Sequence, residues 1–426
     1  MTGRLIAVAN GRLLGEIARD TRGRISFAYD AVWREDDAAY PLSLSMPLTA
    51  SGHGHDTIEP WLWGLLPDNE NVLARWARRF QVSARSAFSL LSATGEDCPG
   101  AVQFARPERA GRLLASGPRE VAWLTTANVE ARLRTLGNDN SAWRLEEDVG
   151  QFSLAGAQSK TALLLEDGRW GIPRGATPTT HILKPPIPGF LGHCENEHLC
   201  LAVAGALGIP AARSRVRRFG EETAIVVERY DRTTLDGSLV RLHQEDFCQA
   251  LGRSPLNKYE SEGGPGCREI ASAIRSHCGR PGEDLRTFVK ATALNRVLGG
   301  TDAHARNFSL LIGAGGNARL APLYDLASAL PYPGRFAPRL KLAMKVGGEA
   351  RLGYIRARHW ERFAADVGLP PEEVLGICHS VAEEVPDRFA EVVATARSAG
   401  LDHPVAGRLQ QAVTKQAEAL LDGLHG

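Results

Sequence analysis

Hydrophobic positions in the first thirty residues alternate with polar ones, and the alternation breaks at one dipeptide. "LIAVAN" and "LLGEIA" flank Asn10-Gly11, two residues that accept the positive φ angles of a tight hairpin turn, and "RISFAYD" continues the pattern. This predicts a small antiparallel unit over residues 3 to 30. The period then lengthens: "PWLWGLLPDNENVLARWARRF" has helical apolar spacing, interrupted by Pro67. Residues 1–107 read as an N-terminal module without clustered catalytic residue types, and "FARPERAGRLLASGPRE" (104–120) as a connecting segment.

The pattern changes over 108–230. "TALLLEDGRWGIP" is a hairpin about Asp167-Gly168, "THILKPP" a strand ended by prolines, "NEHLCLAVAGALGIP" a helix ended near Gly208, and "TAIVVERYDR" a buried strand that turns polar. Strand, strand, helix, strand is the order of a kinase small lobe. From 231 to 426 the chain reads as mostly helical, with "HQEDFCQALG", "DLRTFVKATALNRVLGG" and three or four amphipathic helices after 357. Two short strands, "FSLLI" and "RLAPLYD", interrupt them. The fold class that follows is α+β, with two lobes.

Composition narrows the function classes. The 426 residues are 43% hydrophobic and 23% charged, ordinary for globular domains with real cores. A formal net charge of +1 excludes a chain that is basic throughout, and no basic run is assignable to a DNA groove. No apolar run is long enough to span a bilayer, and the N-terminal apolar run is broken by Asn10-Gly11 and charges, unlike a signal peptide. Seven cysteines without a C-x-x-C spacing argue for reduced thiols, hence a cytoplasmic location. Seven of the 50 basic residues are lysines, the first at Lys160, so each lysine draws attention as a compact point charge.

The candidate chemistry centres on "GGTDAHARNFSLLI" and "RLAPLYDLASAL". Asp302 followed five residues later by Asn307 has the D-x-x-x-x-N spacing of a kinase catalytic loop. There the aspartate accepts the proton of the attacking hydroxyl and the asparagine holds Mg2+. Asp325 ends the next apolar run, as a second metal-binding aspartate does. In "FSLAGAQSKTALL", the small residues Ala155, Gly156 and Ala157 let a backbone approach phosphates closely, with Lys160 behind them. Strand alternation places Lys184 on the face of Ile182, opposite Leu183. The following helix offers Glu195 and Glu197 as anionic partners. "VVERYDR" ends where a kinase hinge would read adenine. Each piece alone has a structural alternative: helix capping by Asp302, a turn at Asn307, a tight turn at Gly156, a strand end at Glu228, a backbone-bonded His304. "HCENEHLC" mixes histidine and cysteine, but its spacings match no common zinc signature.

In this order the motifs "SLAGAQSKTALL", "THILKPP", "NEHLCLAVAGALG", "VVERYDR", "HQEDFCQALG", "KYESEGGPG", "GGTDAHARNFSLL" and "LAPLYDLASA" resemble the HipA family, the toxin kinases of HipBA-type toxin–antitoxin modules. The resemblance covers nearly the whole chain, with residues 1–107 similar to the HipA-coupled module. It implies a kinase-like fold with a β-rich N-terminal lobe and a mostly helical C-terminal lobe. It further implies Asp302 as catalytic base, and Asn307 and Asp325 as Mg2+ ligands. The ATP site would comprise Ala155, Gly156, Ala157, Gln158, Ser159, Lys160, Lys184, Glu228, Arg229, Tyr230, His304 and Tyr324, together with Asn307 and Asp325. Ser153 matches a serine these kinases phosphorylate on themselves, which expels the phosphate loop and silences the enzyme. The implied partners are a HipB-like helix-turn-helix antitoxin, operator DNA mainly through that antitoxin, and an aminoacyl-tRNA synthetase as substrate, glutamyl-tRNA synthetase or a relative. Two other readings stand beside this one: a small-molecule kinase with the same lobe logic, and a non-catalytic nucleotide-binding co-repressor.

Overall fold

The computed structural model describes residues 2–115, 120–143, 152–332 and 340–425. At the first turn Asn10 and Gly11 both take positive φ, 46° and 78°, which sets the hairpin between β1 (Gly3–Ala9) and β2 (Arg12–Arg19). With β3 (Ile25–Tyr29), β4 (Gly52–His53) and β5 (Val102–Ala105) they form an antiparallel sheet in the order β4-β3-β2-β1-β5. The helices His55–Gly64 and Glu70–Phe80 bring Trp61 and Trp76 into the same core as Phe27 and Phe104. The expected connecting segment is in part structured. Its Phe104 and Ala105 sit in β5 against β1, and the helix Pro107–Leu114 packs Leu113 on Val8 and Ala105. β5 escaped the sequence reading because its four residues are all buried and show no alternation. Residues 116–119 of that segment lie outside the described residues.

The second sheet has six antiparallel strands: β6 (Val121–Leu124), β7 (Thr161–Glu166), β8 (Arg169–Pro173), β9 (His181–Lys184), β10 (Ser214–Phe219) and β11 (Glu222–Glu228), ordered β10-β11-β9-β7-β8-β6. Asp167 and Gly168 (φ 48° and 75°) make the predicted hairpin. Val129 and Leu133, from the helix Thr126–Asn138, cover one face together with Leu163, Leu183, Phe219 and Val226. The helix His193–Ala206 packs on β10 and β11. β10, Ser-Arg-Val-Arg-Arg-Phe, reads as a polar stretch because its three arginines hide the single fully buried residue, Phe219.

The larger lobe is helical, and one core joins Phe288, Leu294, Trp360, Phe389 and Leu409 from the helices Pro281–Leu298, Ala357–Val367, Pro371–Ser398 and Pro404–His425. "HQEDFCQALG" is not one helix. After the hairpin of β12 (Arg232–Leu235) and β13 (Ser238–Arg241), His243–Asp246 forms a buried strand, β14, and only Phe247–Ala250 is helical, capped by Asp246. β14 pairs with β15 (Ser309–Ile312), which pairs with β16 (Ala318–Leu320). This small sheet frames the catalytic-loop motif. Among the described residues no helix is long and apolar enough to cross a membrane, and all seven cysteines are buried and unpaired.

Buried polar contacts hold the N-terminal module against both lobes. Asp97 accepts from Thr179 Oγ1 (2.6 Å), Arg232 (2.9 Å), Arg241 (3.0 Å) and Arg229 (3.3 Å). Asp231 takes Arg229 at 2.8 Å and the Gly100 amide at 2.7 Å. Burial raises the Asp97 pKa, but three guanidiniums outweigh it and hold the carboxyl well below the usual range. Glu245 accepts from Leu44 N (2.8 Å) and Trp61 Nε1 (3.0 Å), a further tie from β14 to the module. Removing one charge from such a cluster strands its partners away from water. Asp97→Asn is therefore expected to lower unfolding stability by about 3–5 kcal/mol, read as a lower urea midpoint. A midpoint at the wild-type value would show that the cluster does not hold the modules together.

Candidate active site

The helix Pro281–Leu298 ends at Gly299 in the left-handed region (φ 63°), where a side chain would meet Leu330 at 2.8 Å. The chain then turns sharply into Asp302. His304 N bonds Asp302 O (2.8 Å), Asn307 N bonds His304 O (2.9 Å), and Asn307 Nδ2 bonds Asp302 O (2.7 Å), closing a tight loop before β15. The Asp302 carboxylate opens into a cleft of about 640 Å3 between the lobes, and its side chain is 68% exposed. The surrounding walls still displace much of its bulk water. That loss of solvation pushes its pKa upward, against a hydrogen bond donated by Tyr259 OH to Oδ1 at 2.7 Å. His304 is buried with Nε2 3.9 Å from Asp302 Oδ1 and Nδ1 without a partner; burial lowers its pKa to about 4, so the ring is neutral.

Lys184 comes from the last residue of β9, on the cleft side of a strand whose Leu183 is in the core. Its ammonium lies 2.7 Å from Glu197 Oε1 and 2.6 Å from Asp325 Oδ1. Glu197 is thus the partner chosen from the two candidate glutamates. Burial works against the charge, yet the two carboxylates raise the Lys184 pKa, and the Lys184 and Lys160 ammoniums in turn hold the Asp325 carboxyl below the usual range against its own burial. Asp325 itself has φ 53°, a left-handed conformation that aspartate tolerates better than most residues. One oxygen of Asp325 faces Lys184, and the amide nitrogen of Asn307 is committed to Asp302 O. Asp325 Oδ2 and Asn307 Oδ1 are the oxygens left over. Two hard oxygens, with room for phosphate and water, form a donor set that suits Mg2+.

Residues 155–160 fold into the same cleft. Gly156 has φ 101°, a conformation that residues with a side chain rarely adopt, and a Cβ there would press on Lys160 Nζ at 2.6 Å. Lys160 Nζ donates to Ala155 O (2.7 Å) and lies 5.3 Å from the centre of the Trp143 ring. Burial, then the charge of Lys184, lowers its pKa to about 8. Gln158 Nε2 reaches Pro185 O (3.3 Å), and Ser159 Oγ reaches Asn140 O at 3.5 Å. Ser153 is fully buried: its N–H donates to Asp97 O (2.9 Å) and its hydroxyl to Leu65 O (2.7 Å).

The segment after β11 borders the cleft, although not by all its side chains. Arg229 commits its guanidinium to the Asp97 and Asp231 cluster, and its N–H to Thr180 O. Glu228 is exposed and its N–H is used by Arg213 O. Tyr230 stacks on Tyr324 at 5.5 Å and donates to Gln244 Oε1 at 2.8 Å. Tyr324 donates to Arg306 O (2.7 Å) and lies 2.5 Å from Ser309 Oγ. Ile182, Ala212, Val227 and Leu323 add an apolar wall. Cys194 and Cys200, the cysteines of "HCENEHLC", lie in the core with hydrogen bonds to Lys184 O and Asn196 Oδ1.

Sequence reasoning missed four residues at this site: Asp68, Lys258, Tyr259 and Arg306. Lys258 and Tyr259 open the quoted motif "KYESEGGPG", and lysine scarcity gave a second signal for Lys258. Asp68 gave none, because it reaches the cleft from a module with no catalytic pattern.

The chain matches two family profiles, the HipA N-terminal domain over residues 5–105 and the HipA-like C-terminal domain over 152–389. It is 38% identical over 392 residues to Y4mE of Sinorhizobium fredii (strain NBRC 101917 / NGR234), which carries a kinase name; the match covers 90% of this chain and 92% of that one. It is 28% identical to the serine/threonine-protein kinase toxin HipA of Shewanella oneidensis, covering 89% and 87%. A solved structure of the Shewanella oneidensis MR-1 HipA, HipB and operator DNA complex superposes with a TM-score of 0.83 at 25% identity, over 98% of this chain and 97% of that one.

Lys184 is held in the cleft by two carboxylates, Glu197 and Asp325. Lys184→Ala is expected to weaken Mg-ATP binding about 10–100-fold, the range for one charge-assisted hydrogen bond, as measured by calorimetric titration. Unchanged affinity would remove Lys184 from the nucleotide site.

Proposed function

The chain belongs to the HipA family, and from that premise we propose that it moves the γ-phosphoryl group of ATP onto a serine hydroxyl of a protein, with Asp302 as the base. The observation that carries this reading is the convergence of Asp302, Asn307, Asp325, Lys184 and the 155–160 loop on one cleft from four separate stretches of chain. Phosphoryl transfer asks a protein mainly for positioning and charge neutralisation. The backbone of Ala155, Gly156 and Ala157, with Gln158, Ser159 and Lys160, would surround the phosphates. Lys184, oriented by Glu197, would pair with their non-bridging oxygens. Adenine would enter beside the Glu228–Tyr230 backbone, against Tyr324, with the neutral His304 close by. Asn307 and Asp325 would hold Mg2+, which when bound neutralises charge on the phosphates. The acceptor oxygen attacks phosphorus as the bond to the ADP oxygen breaks, and its proton passes to the exposed Asp302 carboxylate.

Self-inactivation at Ser153 fits the same site. The Ser153 hydroxyl is fully buried against Leu65 O, beside Asp97 O. A phosphate dianion there would face the Leu65 and Asp97 carbonyl oxygens with no room, so the segment would have to leave and take Ala155–Lys160 with it. We assign the acceptor protein to the aminoacyl-tRNA synthetases, glutamyl-tRNA synthetase or a relative. Phosphorylating it in the cytoplasm would arrest translation and growth. The Shewanella complex supports a HipB-like antitoxin as partner, with operator DNA held mainly through that antitoxin.

Asp302→Ala separates chemistry from binding. Phosphate transfer should fall about 100–10,000-fold, the share of a general base, while ATP affinity stays nearly unchanged. Equal losses in both would show Asp302 to be a binding residue instead.

A further inference from the structure

Asp68 follows the helix His55–Gly64 of the N-terminal module, and its two carboxylate oxygens hold two different cations of the catalytic lobe. Oδ2 takes Lys258 Nζ at 2.8 Å, and Oδ1 pairs with Arg306. Arg306 lies inside the catalytic loop, between His304 and Asn307, with its side chain 4% exposed. Its other partners are Asp246 (3.1 Å) and Gly64 O (3.0 Å). Lys258 precedes Tyr259, whose hydroxyl donates to Asp302 Oδ1 and whose ring stands edge-on to His304 at 5.0 Å. One carboxylate therefore fixes both flanks of Asp302: the 304–307 turn through Arg306, and the Tyr259 hydroxyl through Lys258. The Asp68 amide, meanwhile, donates to Gly156 O of the phosphate loop at 3.0 Å.

The charge balance says what the loss of Asp68 would do. Arg306 would keep a single carboxylate for a guanidinium buried almost completely, and Lys258 would keep none. Both would shift toward other anions, and the cleft offers Asp302 and Asp325. We infer that Asp68 is a positioning residue of the transfer site, by which the N-terminal module sets the orientation of Asp302 and the Tyr259 segment. The inference rests on the assignment of Asp302 as the base. It gives the module a part in the chemistry itself.

The test compares the full chain with Asp68→Asn and Lys258→Met. The first keeps the shape and removes the charge. The second breaks the same link from the other side without touching the module. Two readouts are taken: the maximal rate and ATP KM of phosphate incorporation into the chain, and amide hydrogen exchange by mass spectrometry. Asp68→Asn should lower the maximal rate about 100-fold, as a small misplacement of reacting groups does, with ATP KM nearly unchanged. Exchange should rise in 256–264 and 302–307 and stay at wild-type levels in Pro371–Ser398. Lys258→Met should raise exchange in 256–264. A wild-type maximal rate in Asp68→Asn overturns the inference, as does unchanged exchange in either segment. A rate loss matched by a rise in KM, or by exchange throughout the chain, marks Asp68 as merely structural and also overturns it. If the wild-type chain transfers no phosphate, the kinase reading falls, and exchange alone decides whether Asp68 orders the two segments.

Discussion

One ammonium ties three separate elements of the cleft together. Lys184 leaves the last strand position before two prolines and sits between Glu197, from the small-lobe helix, and Asp325, from the loop after β16. Each carboxylate is buried or held at a cleft wall, so neither is stable there without the lysine, and the lysine is not stable without them. The geometry of the cleft follows from this mutual need. Lys160 adds a second buried ammonium nearby, with its pKa drawn down to about 8 by burial and by Lys184. An anionic ligand between the two would relieve that crowding, which is the electrostatic condition for gripping a polyphosphate.

The N-terminal module is built into this site. Asp97 gathers three arginines, Arg229, Arg232 and Arg241, while its backbone carbonyl holds Ser153. Leu65 O and the Asp68 amide tie Ser153 and Gly156 to the module through backbone groups, and the Asp68 side chain holds Arg306 of the 304–307 turn. A modification at Ser153 would therefore be felt first where the module and the phosphate loop touch. In the reading proposed above, modification of that one buried hydroxyl would displace Ala155–Lys160 with it.

Much of this was legible in the sequence, and the failures are instructive. Turns defined by Asn10-Gly11 and Asp167-Gly168 read correctly because their backbone angles demand those residues. Lys184 and Leu183 read correctly because a strand edge of two-residue period separates cleft from core. Short, fully buried strands such as Val102–Ala105 and His243–Asp246 did not, because burial on both faces erases alternation, and His243–Asp246 buries polar side chains whose partners are distant in sequence. The Arg229 guanidinium serves an ion cluster rather than the cleft for the same reason: its partner Asp97 is 132 residues away. Asp68 and Asp97 act through such long-range ion pairs, which leave no local pattern.

The claim that this cleft performs phosphoryl transfer under control of Ser153 is tested most directly by phosphopeptide mapping. The purified chain would be incubated with Mg-ATP beside a chain in which Asp302 is alanine. The account predicts phosphate on Ser153 in the wild-type chain, none in the variant, and loss of ATP binding in the phosphorylated fraction. A wild-type chain that binds ATP yet acquires no phosphate at Ser153, or one that keeps full ATP affinity once phosphorylated there, would contradict it.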